Sequence, residues 1–252
     1  KRFNLKSLLF AVSLLLASTA KLYCAGEGAE PLKVDWSFKG ITGKFDRASL
    51  QRGFQVYKEV CSSCHSMQYL SYRNLGEAGG PEFSEQEVKA IAASVEITDG
   101  PDDQGEMFTR PGRPADKFKN PYPNVKASIA ANGGAYPPDM SVLVKARPGG
   151  SNYIYSVLVG YEDPPAGVTL DDGVYYNKYM IGNKIKMSSP LSDDIVEYSD
   201  GTKATVDQMA KDVTTFLTWA AEPELEERHR TGVKVIIYLI LLTTLVYLSM
   251  KK

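Results

Sequence analysis

The feature that most constrains this 252-residue chain is the run Cys-Ser-Ser-Cys-His at positions 61–65. Two thiols three positions apart lie on the same side of a helical turn, and a histidine follows them directly. This C-x-x-C-H pattern is typical of c-type haem attachment, in which each thiol adds to a vinyl group and the histidine binds the iron. The motif therefore predicts one covalently bound haem c, attached through Cys61 and Cys64, with His65 as an axial ligand of the iron.

Two other uses of paired cysteines fit the sequence less well. A redox-active C-x-x-C pair normally opens a helix in a βαβ unit, and little of this chain alternates with the period of a strand. A structural zinc site needs four ligands, usually Cys or His. Cys24 lies in a segment that we expect to be removed, and His229 lies beside a predicted membrane span. Too few ligands therefore remain for zinc.

The two ends of the chain predict export and membrane anchoring. Residues 1–25 carry four basic residues, no acidic residue and a short apolar run, which is typical of a secretory signal peptide. Residues 235–250 are uncharged, and the segment 231–252 is long enough to cross a bilayer as one helix. We therefore expect a signal peptide (1–25), a haem domain (26–230) on the periplasmic face of a bacterial inner membrane, and a C-terminal transmembrane anchor (231–252).

Helical patterns dominate what can be assigned between these ends. Apolar residues recur at helical spacing after Asp46, a residue suited to cap a helix, and this helix leads into the 61–65 motif. A second helical pattern begins at Val206 and ends before Pro223. Residues 99–125 are rich in Gly, Pro and charge and read as loop, whereas 151–161 fits a helix or a strand equally well. The sequence predicts a mainly α domain with long loops.

The second axial ligand of the iron is not determined by spacing. His229 is far from the motif, so we expect a methionine, which raises the reduction potential. Four of the seven methionines have an unsuitable position or another expected role: Met67, Met107, Met209 and Met250. Met140, Met180 and Met187 remain as equal candidates.

Four segments are distinctive in combination: RGFQVYKEVCSSCHSMQYLSYRNL (52–75), AANGGAYPPDMSVLVKARPGG (130–150), YIYSVLVGYEDPPAGV (153–168), and 204–248. Together they resemble cytochrome c1, the haem subunit of the cytochrome bc1 complex, in its bacterial, alphaproteobacterial form. The resemblance implies a class I cytochrome c-like haem domain with one C-terminal transmembrane helix. It also implies Met187 as the second axial ligand, because the family's methionine precedes a proline pair and Met187 precedes Ser189-Pro190.

The resemblance further implies a set of residues around the haem. Those that line it are Asn132, Ala135, Pro137 and Pro138, and Arg147 meets a haem propionate with Tyr153 nearby. Chemistry also favours the arginine, because a buried propionate needs a charged donor and a guanidinium offers two parallel N–H groups.

A haem iron with six ligands has no open position for a substrate, which suits electron transfer. The resemblance implies that the chain takes an electron from the Rieske iron–sulfur protein and passes it to a soluble or tethered cytochrome c, beside cytochrome b in the membrane. The chain alone would carry electrons without catalysing a reaction. The alternative is a membrane-anchored c-type cytochrome shuttle or an oxidase subunit, which would share the haem and the anchor but not the resemblance over 130–220.

The charge of the chain is unevenly distributed. Its 29 basic and 30 acidic residues nearly cancel, which gives no basic face for nucleic acid. Without 1–25 and 231–252, however, 22 basic residues face 30 acidic ones. We expect this acidic domain to attract a basic cytochrome c. Two acidic clusters could do so: Glu222, Glu224, Glu226 and Glu227, or Asp99, Asp102, Asp103 and Glu106.

Overall fold

The computed structural model describes residues 28–251, so the predicted signal peptide lies outside the described residues. Helices dominate this part of the chain, and its strands are short. The α-helices are α1 (Arg47–Glu59), α2 (Glu85–Ala93), α3 (Val125–Ala131), α4 (Gly150–Val159), α5 (Val206–Ala221) and α6 (Leu225–Met250). The strands are β1 (Glu96–Asp99), β2 (Phe108–Pro111), β3 (Tyr175–Tyr176) and β4 (Lys184–Ile185), and 3₁₀ turns span Cys61–Ser63, Tyr72–Gly76 and Ile181–Asn183. The predicted mainly α fold is confirmed.

Helix α1 begins and ends where the sequence indicated. The Asp46 carboxylate accepts a hydrogen bond from the backbone N–H of Ser49 at 2.7 Å, which satisfies one of the unpaired donors of the first turn. Leu50, Phe54 and Tyr57 form the buried face. Directly after the helix, the chain tightens into the 3₁₀ turn Cys61–Ser63. The orientation of α1 therefore sets the position of the haem attachment motif.

Helices α1 and α5 pack with their backbones in close contact. A Cβ atom placed on Gly53 would lie only 2.1 Å from the backbone carbonyl oxygen of Asp212, so glycine is required at the crossing. The Arg52 guanidinium donates to both carboxylate oxygens of Asp212, at 2.9 and 3.1 Å. The Asp212 side chain is only 1% exposed, so this ion pair neutralises a charge inside the helix interface.

An aromatic cluster fills the space between these helices and the loop that follows β2. Phe216 of α5 contacts Phe54 and Tyr57 of α1, with ring centroids 5.7 and 5.8 Å apart, and Phe118 packs against the same two rings. Trp219 lies beside Phe216 at 5.6 Å. Large buried aromatic surfaces of this kind contribute strongly to stability, so this cluster anchors the end of α1 that carries the motif.

The predicted loop at 99–125 contains part of a β-hairpin. Strand β1 pairs antiparallel with β2, from Glu96 opposite Pro111 to Asp99 opposite Phe108. Ion pairs hold the hairpin: Arg110 contacts Asp99 at 2.5 Å and Asp116 at 2.7 and 2.9 Å. The strands are largely exposed, so they lack the alternating apolar pattern that reveals a half-buried strand in a sequence.

We expect the Asp116 ion pair to make stability fall at low pH. The Arg110 guanidinium lowers the pKa of Asp116 from its ordinary value of 3.8 to about 2. Because the folded pKa is the lower one, the stabilising contribution is complete above about pH 4 and is lost as the pH falls toward 2. Urea unfolding of the wild type and of Asp116→Asn between pH 6 and pH 2 measures this. The difference in unfolding free energy should shrink below pH 4, and a constant difference would contradict the assignment.

The ambiguous segment at 151–161 is helix α4. Four of its five buried residues, Ser151, Ile154, Tyr155 and Leu158, follow the i, i+3, i+4, i+7 spacing of one helical face, and the fifth is Ser156. This face packs against α5, where the Ser151 and Thr218 hydroxyls lie 2.9 Å apart. Burial of one face against α5 thus settles the choice in favour of a helix.

The last helix, α6, is fastened to the haem domain at its first turns. Glu226 accepts two hydrogen bonds from the Arg47 guanidinium, at 2.7 and 3.0 Å, and a third from the backbone N–H of Phe45 at 2.9 Å. One turn later, His229 Nδ1 lies 3.2 Å from the Gly43 carbonyl oxygen. Beyond this contact the helix is exposed, and within residues 28–251 it alone is long and apolar enough to cross a membrane.

Candidate haem site

The attachment motif is a compact turn. The backbone N–H groups of Cys64 and His65 both donate to the Cys61 carbonyl oxygen, at 3.2 and 2.9 Å. Cys61 is buried, Cys64 is half-buried, and both are free thiols. Burial raises the pKa of Cys61 to about 12, so this thiol is protonated at neutral pH. Two thiols are thus available on one turn, as attachment to two vinyl groups requires.

The His65 ring is held by a backbone carbonyl. Its Nδ1 lies 2.8 Å from the Pro138 oxygen, which can only accept, so the ring donates from Nδ1. Burial lowers the pKa of His65 and thereby favours the neutral imidazole. In this tautomer Nε2 carries a free lone pair. A fixed ring with one nitrogen bonded to a carbonyl is the usual arrangement of a histidine that ligates a metal.

Asp139 joins the segment after His65 to the segment after Pro138 by hydrogen bonds. Its carboxylate accepts hydrogen bonds from the Ser66 hydroxyl at 2.7 Å and from the Gln68 N–H at 3.0 Å. The Met140 N–H in turn donates to the Ser66 carbonyl at 2.8 Å. Asp139 was not predictable from the sequence, because its partners lie about 70 residues away along the chain.

The segment containing Met187 lies against the turn that contains Asn132 and Ala135. The Lys186 ammonium group donates to the Gly133 carbonyl at 3.0 Å, and the Tyr161 hydroxyl donates to the Met187 carbonyl at 3.0 Å. Asn132 ends α3, and its carbonyl accepts from the Ala135 N–H at 3.0 Å. The structure therefore connects the 132–138 segment both to His65 and to the segment that contains Met187.

The three candidate methionines have different surroundings. Met140 is only 7% exposed and packs in the apolar core. The Met180 sulfur lies 3.2 Å from the Tyr153 hydroxyl, which donates to it. Met187 is half-buried at the margin of the 132–135 turn. Two candidates thus have other contacts, and Met187 as the axial ligand stays a prediction.

Arg147 has no acidic partner within 4 Å among residues 28–251. Its guanidinium donates only to the neighbouring Ala146 carbonyl, at 3.1 Å, and the side chain is half-buried. Burial raises the pKa of Tyr153, and the positive charge of Arg147 acts in the opposite direction. A half-buried guanidinium beside a phenol can bind an anionic group such as a propionate.

Cavity size does not locate the site by itself. The larger cavity, about 200 Å³, lies behind Ser62 among Phe54, Tyr57 and Phe118 and contains none of the predicted site residues. A smaller open cleft of about 100 Å³ is lined by Cys64, Tyr136 and Pro137 among others. This cleft lies beside one predicted attachment thiol, Cys64, and includes the predicted site residue Pro137.

The donor set fits haem c. Haem c needs two thioether bonds, a nitrogen ligand for its iron and a partner for a propionate. Two thiols on one turn, a neutral histidine with Nε2 free, and an arginine without an acidic partner in the described part of the chain match these needs. Among residues 28–251, no cluster of three or more Cys, His, Asp or Glu side chains offers an alternative metal site.

Comparisons with known proteins agree with this chemistry. The model of the Cytochrome C1 family matches residues 36–252. The chain is 48% identical over 256 residues to cytochrome c1 of Rhodospirillum rubrum, covering 95% of this chain and 93% of that protein. It is 52% identical over 223 residues to the mitochondrial cytochrome c1-2 heme protein of Solanum tuberosum, covering 88% and 85%.

A third relative is a longer protein. The cytochrome b/c1 of Bradyrhizobium diazoefficiens is 51% identical over 248 residues, which cover 90% of this chain but 36% of that protein. The match of the family model and the coverage of the two shorter relatives extend over nearly all of the residues that follow the predicted signal peptide. This chain belongs to the cytochrome c1 family.

Proposed function

We propose that this chain is the electron-transferring haem subunit of a cytochrome bc1 complex, taking one electron at a time from the Rieske iron–sulfur protein and passing it to cytochrome c. The observation that carries the proposal is the Cys61–His65 turn, in which the Pro138 carbonyl holds the His65 ring with Nε2 free. A site with two axial side-chain ligands leaves no position for a substrate, so it suits electron transfer.

Each residue of the site has a distinct task. Cys61 and Cys64 would hold the haem covalently, and His65 and Met187 would bind its iron. The bound haem supplies a one-electron iron couple. The Pro138 carbonyl holds the His65 ring, and the Tyr161 hydroxyl donates to the backbone carbonyl of Met187. A histidine ring held in this way would reorganise little when the charge of the iron changes.

The remaining predicted residues surround the haem. Asn132, Ala135, Pro137 and Pro138 would line the haem, and Arg147, with Tyr153 nearby, would bind a propionate. The lack of an acidic partner for Arg147 within residues 28–251 supports this role.

We place the haem domain, 26–230, on the periplasmic side of the inner membrane, with α6 crossing once beside cytochrome b. Export by the signal peptide at 1–25 determines this orientation, and the lysines at the end of α6 then lie in the cytoplasm, as positive charges prefer.

Purification under mild detergent tests the assembly. We expect the chain to co-purify with a cytochrome b that binds two haems and with the Rieske protein. A matched preparation that lacks α6 should release the haem domain alone. Recovery of the full-length chain as a free cytochrome would instead support a membrane-anchored shuttle or an oxidase subunit.

The acidic clusters differ in how far they can steer a partner. Glu226 is engaged with Arg47, and Glu222 with Arg228, so the cluster beside the membrane is largely neutralised. Asp102, Asp103 and Glu106 lie exposed in the hairpin loop. The loop cluster therefore has more uncompensated charge for attracting a basic protein.

We expect the rate of electron transfer to a basic cytochrome c to fall several-fold as ionic strength rises to physiological values, because salt screens exposed charges. Stopped-flow mixing over a salt series measures this rate. Asp103→Asn combined with Glu106→Gln should weaken the dependence of the rate on salt. Glu224→Gln should leave this dependence nearly unaltered. A rate independent of salt in the wild type would exclude steering.

A further inference from the structure

The loop at residues 39–44 presents one apolar side chain to solvent. Its tip is a turn closed by the Gly43 N–H donating to the Gly40 carbonyl at 3.2 Å, and Ile41 in this turn is 75% exposed. The flanking residues Phe38 and Phe45 are buried, with ring centroids 5.1 Å apart. A stem fixed in the core thus holds an exposed isoleucine in a defined position.

Contacts with α6 place this tip near the start of the apolar anchor. The backbone N–H of Phe45 contacts Glu226, and the Gly43 carbonyl contacts His229, so the loop runs along α6 toward the membrane as the residue number decreases. Glu226 and His229 are about 4.5 Å apart along the helix axis. Two more residues in the same direction bring Ile41 to about the level of Gly232. From Gly232 to Met250 the chain is uncharged except for Lys234.

The charges around the tip suit an anionic surface. Lys39 and Lys44 flank it and are both exposed. Of the nearby acidic groups, Glu226 is paired with Arg47, whereas Asp46 caps α1 and keeps its charge, so the two lysines outnumber the one unpaired carboxylate of the 39–46 segment. The loop is therefore a basic patch with an apolar tip at one end of an otherwise acidic domain.

We propose that this loop is a second membrane contact, in which Ile41 enters the interface of the lipid bilayer and Lys39 and Lys44 bind anionic phospholipid headgroups. An apolar side chain between cations, level with the start of a transmembrane helix, matches the layered chemistry of that interface. Together with the Glu226 and His229 contacts, this second attachment fixes the tilt of the haem domain over the membrane.

Site-directed spin labelling tests the contact. A nitroxide is attached at Ile41→Cys in a Cys24→Ser background, in the full complex reconstituted in nanodiscs of phosphatidylcholine and phosphatidylglycerol. Power saturation compares collisions with oxygen, which concentrates in lipid, and with a nickel chelate, which stays in water. The signal of the complex without the introduced cysteine is subtracted.

Ile181→Cys is the matched control. Ile181 is 74% exposed. Its loop lies at the C-terminal end of α4, where the Lys178 N–H donates to the Gly160 carbonyl. The segment that leads to Ile41 lies at the other end of α4, where the Trp36 indole donates to Asn152. We expect collisions with oxygen to dominate at position 41 and collisions with the nickel chelate to dominate at position 181.

Two results would overturn the proposal. Equal accessibility of positions 41 and 181 to the nickel chelate would show that the tip lies in water, and shielding of position 41 from both reagents would show that protein covers it. Lys39→Gln with Lys44→Gln should shift the label toward water in discs with phosphatidylglycerol, but not in discs of phosphatidylcholine alone. An unchanged depth in both would contradict the role of the lysines.

Discussion

Replacing Met187 with leucine is expected to lower the midpoint potential of the haem by on the order of 100 mV, because a thioether ligand favours the reduced iron and leucine has no donor atom. The iron would also lose its sixth ligand, so the reduced protein should bind carbon monoxide at neutral pH. A potentiometric titration and a carbon monoxide difference spectrum measure the two effects.

The other two candidate methionines provide the controls. Met180→Leu removes the contact with the Tyr153 hydroxyl, and Met140→Leu changes only core packing, so both variants should keep the wild-type potential and exclude carbon monoxide. If Met187→Leu keeps the wild-type potential while one of the other variants loses it, the assignment of the axial ligand is wrong.

A single methyl group at Gly53 is expected to destabilise the haem domain by about 1–3 kcal/mol or more. Alanine normally favours a helix over glycine by about 1 kcal/mol. Here, however, the new Cβ atom would lie 2.1 Å from a backbone oxygen of α5, which no side-chain rotation can relieve. Because α1 carries the attachment turn at its end, Gly53→Ala should also reduce the yield of covalent haem.

Gly232→Ala is the matched control, since this glycine also lies in a helix but a Cβ atom there meets nothing within 4 Å. Urea unfolding of the purified chains, followed by helical circular dichroism, compares the two variants with the wild type. A wild-type unfolding midpoint for Gly53→Ala would contradict the close helix crossing.

Helices with a strong signal were predictable from the sequence. Asp46 and the apolar spacing after it located α1, which buries one side against the core. The helical pattern that begins at Val206 located α5, which is buried on all sides from Asp212 to Ala221. The hairpin of β1 and β2 was missed, since ion pairs of Arg110 hold two exposed strands together. Ion pairs between exposed side chains leave no periodic pattern of apolar residues in the sequence.

In the site, too, local features were predictable from the sequence and long-range contacts were not. Local spacing was sufficient to predict Cys61, Cys64 and His65 as one unit. The Pro138 carbonyl and the Asp139 carboxylate act on that unit from more than 70 residues away, and their effect depends on how the chain folds back. For the same reason spacing left three methionines open, and Met187 as the axial ligand stays a prediction, although Met140 lies in the core and Met180 contacts Tyr153.

The most direct test of electron transfer through this chain is rapid mixing of its oxidised complex in membranes with a quinol, while the absorbance of the c-type haem is followed. We expect this haem to be reduced, and oxidised cytochrome c added next should reoxidise it. Removal of the Rieske protein should block the first step and leave the second intact. A haem that stays oxidised in the intact complex, or that is reduced but cannot pass its electron to cytochrome c, would contradict the proposed function.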